Sequence, residues 1–172
     1  MTSPSQEAID RQNKAFWDEV CGSGLAQGLG LTDASPESMA LFDRAYMELY
    51  PYLARYIPSG ALGGKRVLEV GLGYGTLGQI LARSAGEYHG VDMAAGPAAM
   101  MLHRLQRLGN AVRGCAARAS VLDLPYRDES FDYVYSIGCL HHTGDIRRGV
   151  EEVRRVLKLS QQALEDNLLE VL

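Results

Sequence analysis

The sequence predicts an α/β domain built on a doubly wound, mainly parallel sheet of about four strands. Three observations carry that expectation. Short apolar runs flanked by glycine alternate with amphipathic stretches of about ten residues, the pattern of strands joined by crossover helices. Nineteen glycines in 172 residues are more than usual, and several gather at one strand-to-helix junction. The composition, 47% hydrophobic and 22% charged, is that of a packed globular chain. A chain of this length predicts one domain.

The elements follow in order. Glu7 to Val20 reads as a helix with Ile9, Phe16 and Val20 as its apolar positions and Trp17 beside them. Cys21 to Pro36 is rich in Gly, Ser and Asp without apolar periodicity, and reads as a loop. Ser35-Pro36-Glu37-Ser38 then opens a helix, with Ser35 as cap and Pro36 in the first turn, running through Met39, Phe42, Tyr46 and Leu49 to Pro51. A short helix at Tyr52 to Tyr56 ends before Pro58-Ser59-Gly60. Arg66 to Val70 is a compact apolar run between glycines, as a buried parallel strand requires. Thr76 to Ala85 is helical, Tyr88 to Asp92 a second strand, and Ala98 to Leu108 a second core helix. A weaker third strand lies within Ala111 to Ala117, and Phe131 to Ser136 is the strongest β-former of the chain.

From Asp145 onward the pattern is helical again. Ile146, Val150, Val153, Leu157, Leu164, Leu168 and Val171 recur at helical spacing with one polar break at Ser160-Gln161. The expectation is one long C-terminal helix. The fourth strand is then an unprotected edge, and the apolar stripe has nothing to bury it. Self-association through that strand or that helix follows from this reading.

Charge and composition exclude several partners. Seventeen Lys and Arg against 21 Asp and Glu give a net charge of −4, unsuited to a nucleic-acid backbone. No apolar run approaches the roughly 18 residues of a membrane span, so no membrane partner is expected. Met1 to Lys14 is polar, without the pattern of a signal peptide, and the chain reads as cytoplasmic. Cys21, Cys115 and Cys139 are odd in number and widely spaced, which argues against a disulfide framework or a metal knuckle. No metal is expected.

The glycine cluster is the chemical signal. Val67-Leu68-Glu69-Val70-Gly71-Leu72-Gly73-Tyr74-Gly75-Thr76 is a strand, a tight turn and a helix start. Such a turn brings a ligand against backbone, with helix-start amides suited to a carboxylate or phosphate. Two ligand classes compete. Gly73-Tyr74-Gly75-Thr76-Leu77-Gly78 satisfies the dinucleotide spacing, but it begins two residues after the strand end, and read from Gly71 the third glycine falls on Thr76. Glu69 at the strand end suits an ammonium group, whereas a pyrophosphate gains nothing from a carboxylate there. Asp92 closes the second strand, where an acid accepts from a ribose diol in either cofactor.

Glu69-x-Gly71-x-Gly73-x-Gly75 resembles the first motif of the class I, seven-stranded S-adenosylmethionine-dependent methyltransferases, and Asp92 resembles their ribose-binding acid. Ala119 to Tyr126 with Asp128 to Val134, then Ser136 to His142 and Glu152 to Lys158, are similar in order and spacing to the type 11 branch, which includes ubiquinone-biosynthesis enzymes. The resemblance covers about Lys65 to Lys158. It implies a Rossmann-like methyltransferase fold, S-adenosylmethionine as cofactor, and a small-molecule acceptor. By resemblance the cofactor residues are Glu69, Gly71, Gly73, Gly75, Asp92, Met93, Ser120, Val121 and Ser136. Ser120 stands where the family usually carries an adenine-facing Asp, and the Val121 amide can serve the ring. Asp123 reads as a turn residue.

His141 follows the fourth strand, where the resemblance puts a base at the rim of the pocket, with packing or capping as the alternative. Neighbouring His142 is expected to point elsewhere, which argues against a shared metal. Phe16 to Ser23 resembles a segment ahead of the domain in some of these enzymes, either a lid over the cofactor or plain packing. The expected organisation is an N-terminal helical cap (1–60), a cofactor-binding core (61–158) and a helical extension (159–172). After Lys158 the family continues Pro-Gly-Gly into a fifth strand, so the chain reads as truncated there. Two rivals to the enzyme remain: a non-catalytic S-adenosylmethionine-binding or interaction protein, and an NAD-dependent oxidoreductase.

Overall fold

A computed structural model describes residues 5–12, 24–57, 60–158 and 168–171. Residues 6–12 form helix α1. Helices α2 (Gly24–Gly28) and α3 (Pro36–Leu49) and a 3-10 turn (Pro51–Arg55) precede the sheet. Five strands follow: β1 (Arg66–Val70), β2 (Glu87–Asp92), β3 (Gly114–Arg118), β4 (Tyr133–Ile137) and β5 (Leu168–Val171). Helices α4 (Thr76–Ser84), α5 (Ala95–Leu108) and α6 (Ile146–Val156) connect them. The strand order is β3-β2-β1-β4-β5, every pair parallel.

The period of two along β1 explains the layers. Val67 packs with Leu77, Leu81, Tyr88, Met101 and Leu105 on the α4–α5 face. Leu68 and Val70 pack with Val91, Phe131, Val134, Val153 and Val156 on the α6 face. Each such buried aliphatic side chain contributes roughly 1.5–3 kcal/mol. Glu69 shares the parity of Val67, so it is carried into the α4–α5 layer. A third cluster joins the N-terminal helices to the core: Ala26, Met39 and Phe42 enclose Tyr74 of the glycine loop.

Local chemistry sets the helix starts as expected. Ser35 caps α3, its hydroxyl accepting from Ser38 N at 3.2 Å, with Pro36 in the first turn. Asp145 caps α6, its carboxylate accepting from Arg148 N at 3.0 Å. The segment read as a loop contains the five-residue α2, whose Ala26 is buried against α3. Tertiary packing supplies there the stability that a single turn lacks. Phe16 to Ser23 lies outside the described residues.

The C-terminal expectation is corrected. Helix α6 stops at Val156, and there is no single helix running on to Val171. Leu157 forms a parallel bridge to Phe131, Phe131 N donates to Val156 O at 3.0 Å, and Lys158 N donates to Phe131 O at 2.8 Å. Long-range pairing beside β4 thus takes the backbone groups that a continuing helix would use, and Leu157 is buried at 2% exposure. Beyond it, Leu168–Val171 pairs with Val134–Ile137 as β5. The fourth strand is therefore no open edge, and the stripe from Ile146 is broken by a change of element. Both grounds for self-association are removed.

Candidate functional site

A cavity of about 510 Å³ opens at the carboxyl ends of β1, β2 and β4, where a parallel sheet places its ligands. The glycine loop forms its floor. Gly71 has φ +83°, and a Cβ there would lie 2.6 Å from Cys139 Cβ and 2.8 Å from its Sγ. The missing side chain therefore makes room for the β4 loop, and not only for a ligand as the sequence suggests. Gly75 also has φ +83°, and its absent Cβ leaves space for Arg104 Cδ at 2.8 Å. Gly78 has its own reason: a Cβ would lie 2.5 Å from both Glu69 Oε2 and the Tyr88 hydroxyl. The third glycine of the apparent dinucleotide pattern serves this buried pair.

Glu69 is 3% exposed and accepts from the Tyr88 hydroxyl through Oε2. Burial pushes its carboxyl up to about 8; Asp92 adds to the rise, while the Tyr88 hydrogen bond and Arg104 oppose it. A buried acid of this kind, on a cavity wall and without a hydrogen-bonded Lys or Arg among the described residues, suits an incoming cation. Asp92 stands one strand away. Its carboxylate accepts from Leu72 N at 2.8 Å and Ala94 N at 2.9 Å, holding the glycine loop and the start of α5 at fixed positions.

The other expected residues divide. Met93, Ser120 and Val121 line the cavity with Glu69, Gly71, Gly73, Gly75 and Asp92, whereas Asp123 does not. The Ser120 hydroxyl accepts from Leu122 N at 3.2 Å. Ser136 is not on the cavity wall; it is fully buried in β4, its Oγ unpartnered among the described residues. His141 and His142 both line the cavity, their ring centroids 4.0 Å apart. The expectation that they diverge fails because they sit on a 3-10 turn, Leu140–His142, rather than on a strand. Burial, with His141 beside it, holds the His142 imidazole below its ordinary value, so it is neutral at pH 7. Among the described residues no cluster suited to a metal ion is present.

Tertiary structure adds groups that local sequence reading missed. Arg104 of α5, 0% exposed, forms a double hydrogen bond to Asp43 of α3, each arm 2.9 Å, and donates Nε–H to Tyr74 O at 2.7 Å. Thr76 Oγ1 donates to the same Asp43 at 2.6 Å. This network ties α3, α5 and the glycine loop together. Helix α1 closes another side: Gln6 Nε2 donates to Thr143 O at 2.6 Å, and Asp10 reaches the cavity. Phe42, Tyr46, Tyr50 and Tyr52 also line the cavity, Phe42 stacked on Tyr74 of the loop. No local pattern flags these residues; only a long-range packing signal would have found them.

Comparison with known proteins agrees with this arrangement. The family described as "Methyltransferase domain" matches residues 68–162. A phthiotriol/phenolphthiotriol dimycocerosates methyltransferase of Mycobacterium tuberculosis is 38% identical over 120 residues, covering 67% of this chain and 41% of that enzyme. A ubiquinone biosynthesis O-methyltransferase of Alkalilimnicola ehrlichii is 35% identical over 159 residues, covering 92% of this chain and 61% of its own length. The chain thus spans less than two thirds of either relative. A crystal structure of a SAM-dependent methyltransferase from Aquifex aeolicus superposes with a TM-score of 0.58 at 20% identity, over 72% of this chain and 68% of that one, a likeness of fold.

Proposed function

The chain belongs to the class I S-adenosylmethionine-dependent methyltransferase family, type 11 branch, and on that premise we propose that its cavity binds S-adenosylmethionine and directs the methyl group to a small-molecule acceptor. One observation carries the reading: Glu69 and Asp92, at the ends of adjacent strands, face one cavity across a glycine loop. The cofactor supplies an activated methyl group on a sulfonium; the protein's part is to bind, orient and exclude water.

The donor set fits that cofactor. Glu69 is a buried carboxylic acid pushed up to about 8, and an ammonium beside it would restore its charge. Asp92 keeps its carboxylate at the cavity while both its oxygens are fixed by backbone amides, ready for a ribose diol. Gly71, Gly73 and Gly75 would supply backbone contact, Met93 and Ser120 would lie at the adenosine end, and Val121 would offer its amide to the base. Ser136, buried in β4 and off the cavity wall, is left out of this donor set. His141, with His142 stacked beside it, is the base we assign at the acceptor side.

The relatives' names give acceptors from ubiquinone precursors to mycocerosate lipids, and only the shared class, a small molecule, is carried over. The oxidoreductase reading loses its support, because Gly78 is explained by the Glu69–Tyr88 pair. The interaction-protein reading loses its own with the pairing of β4 and β5. No described helix is long and apolar enough to cross a membrane. Helices α2 and α3 act as the cap, and 61–158 as the core.

Calorimetric titration with S-adenosylmethionine, S-adenosylhomocysteine and NAD tests the proposal. Both adenosyl ligands are expected to bind and NAD to be silent. Asp92→Ala is expected to weaken S-adenosylhomocysteine by about 1–3 kcal/mol, the loss of a charged hydrogen bond. Binding of NAD with no response to either adenosyl ligand would falsify the assignment.

A further inference from the structure

Three tyrosine rings stand together on the cavity wall. Tyr46 comes from the last turns of α3, Tyr50 from its C-cap, and Tyr52 from the following 3-10 turn. Tyr46 and Tyr50 have ring centroids 4.9 Å apart, tilted by 56°; Tyr50 and Tyr52 lie 6.1 Å apart, at 80°. Rings so inclined form a concave corner rather than a stack. All three are half-buried and line the cavity, so ring surface is open to a ligand. Tyr46 gives one face to Phe42, centroids 5.9 Å apart and planes 20° apart, as Phe42 does to Tyr74 at 4.2 Å; Tyr50 and Tyr52 have no such stacked partner among the described residues.

Charge gives the corner its sign. The described residues lining the cavity include the carboxyl groups of Asp10, Glu69 and Asp92 and no lysine or arginine. Among the described residues no Lys or Arg stands over the three rings; the arginine contacts fall on Phe131 and Tyr74. Burial and nearby Glu69 push the Tyr46 hydroxyl well above its ordinary value, so its ring stays an uncharged phenol. Aromatic faces attract a cation through their negative quadrupole, most strongly where water is excluded. An acceptor carrying a carboxylate or phosphate would find no lysine or arginine among the described lining residues to hold it.

We propose that Tyr46, Tyr50 and Tyr52 form an aromatic corner that receives a positively charged amine, and that the acceptor is therefore an amine without acidic groups near its reacting end. This rests on the proposed function and narrows its acceptor class. The chemistry agrees with the geometry. An amine that enters as its ammonium first gives a proton to the neutral His142 imidazole on the same cavity. The uncharged nitrogen then attacks, the nitrogen–carbon bond forms as the carbon–sulfur bond breaks onto sulfur, and the positive charge passes to nitrogen. A tertiary amine keeps that charge as a quaternary ammonium, and a primary or secondary amine leaves as its protonated product. Ring faces that hold a cation hold this nitrogen in both cases.

The test uses three molecules of nearly one shape and different charge, titrated into the full chain after saturation with S-adenosylhomocysteine: choline, its neutral isostere 3,3-dimethylbutan-1-ol, and the anion 3,3-dimethylbutanoate. Choline is expected to bind about tenfold more tightly than the alcohol, with the anion weakest. Tyr50→Leu is expected to bring choline to the level of the alcohol while S-adenosylhomocysteine binds as before, and Tyr50→Phe to retain the preference, since the ring face is what matters. Choline no tighter than the alcohol, or a preference that survives Tyr50→Leu, overturns the inference and leaves the cofactor reading intact. A chain that does not bind S-adenosylhomocysteine at the first step overturns both.

Discussion

The two walls of the cavity are made of different material. The glycine-loop wall is backbone, fixed by two carboxyl groups: Asp92 grips the amides of Leu72 and Ala94, and buried Glu69 lies against Tyr88. The other wall is side chain, brought by α3, the 3-10 turn after it and the histidine turn. At Gly71 and Gly75 the glycine-loop wall leaves no room for a Cβ, because Cys139 and Arg104 pack directly against the main chain there. A side-chain wall can change its surface without changing its frame. The contrast matches the proposed labour of the two sides, one cofactor common to a family and an acceptor that varies among its members.

The sharpest test of this contrast is Gly71→Val. A branched Cβ at φ +83° and 2.6 Å from Cys139 Cβ is expected to abolish S-adenosylhomocysteine binding, read by titration. Gly73→Ala is the control on the same loop, since nothing lies within 4 Å of its Cβ position; about 1–2 kcal/mol from the left-handed backbone is its whole expected cost. Equal damage from both changes would mean that the wall is not set by close approach.

Next in size is the buried pair that joins the walls. Asp43→Ala strands the guanidinium of Arg104, which is 0% exposed, and is expected to cost about 3–5 kcal/mol in denaturant unfolding. Arg104→Met should cost less, because the Asp43 side chain keeps 22% exposure and can turn to water. The reverse order would show that the pair does not govern the joint.

Glu69 gives a pH signature confined to the loop wall. An acid pushed up to about 8 holds its proton more tightly folded than unfolded. Its contribution to stability is complete below about pH 4.5 and is lost as the pH rises through about 8, with a slope of up to about 1.4 kcal/mol per unit. Glu69→Gln is expected to flatten ligand-free stability over that window and to raise it at pH 8, while weakening S-adenosylmethionine. Unfolding curves from pH 5 to 8 read this directly. An unchanged slope in the variant would place the titration elsewhere.

The smallest expected effect separates two neighbours. Ser120→Ala should cost about 0.5–1.5 kcal/mol of cofactor affinity, and Asp123→Ala close to nothing, since Asp123 lies off the cavity. If Asp123→Ala weakens binding and Ser120→Ala does not, the assignment of the adenine contact has to move.

What the sequence could determine about this protein is whatever is encoded locally. Strand β1, the glycine turn and the start of α4 are successive residues, so a run of apolar positions ending in Glu69 and Gly71 is enough to announce the loop wall. The cap Ser35 is legible for the same reason, bonding to an amide three residues on, and so is the start of α6 at Asp145. The side-chain wall was not legible. Nothing near Asp43 announces Arg104, 61 residues away, and nothing near Tyr46 says that its ring meets Tyr50 over a cavity shared with Glu69. The chain's end shows the limit most plainly. Apolar spacing from Ile146 to Val171 satisfies a helix, yet the helix ends at Val156, because Phe131 offers the backbone of residues 156–158 hydrogen bonds and Leu157 a buried seat. Periodicity measures which residues want to leave water. Which partner satisfies the backbone once they have left is settled only when distant segments meet.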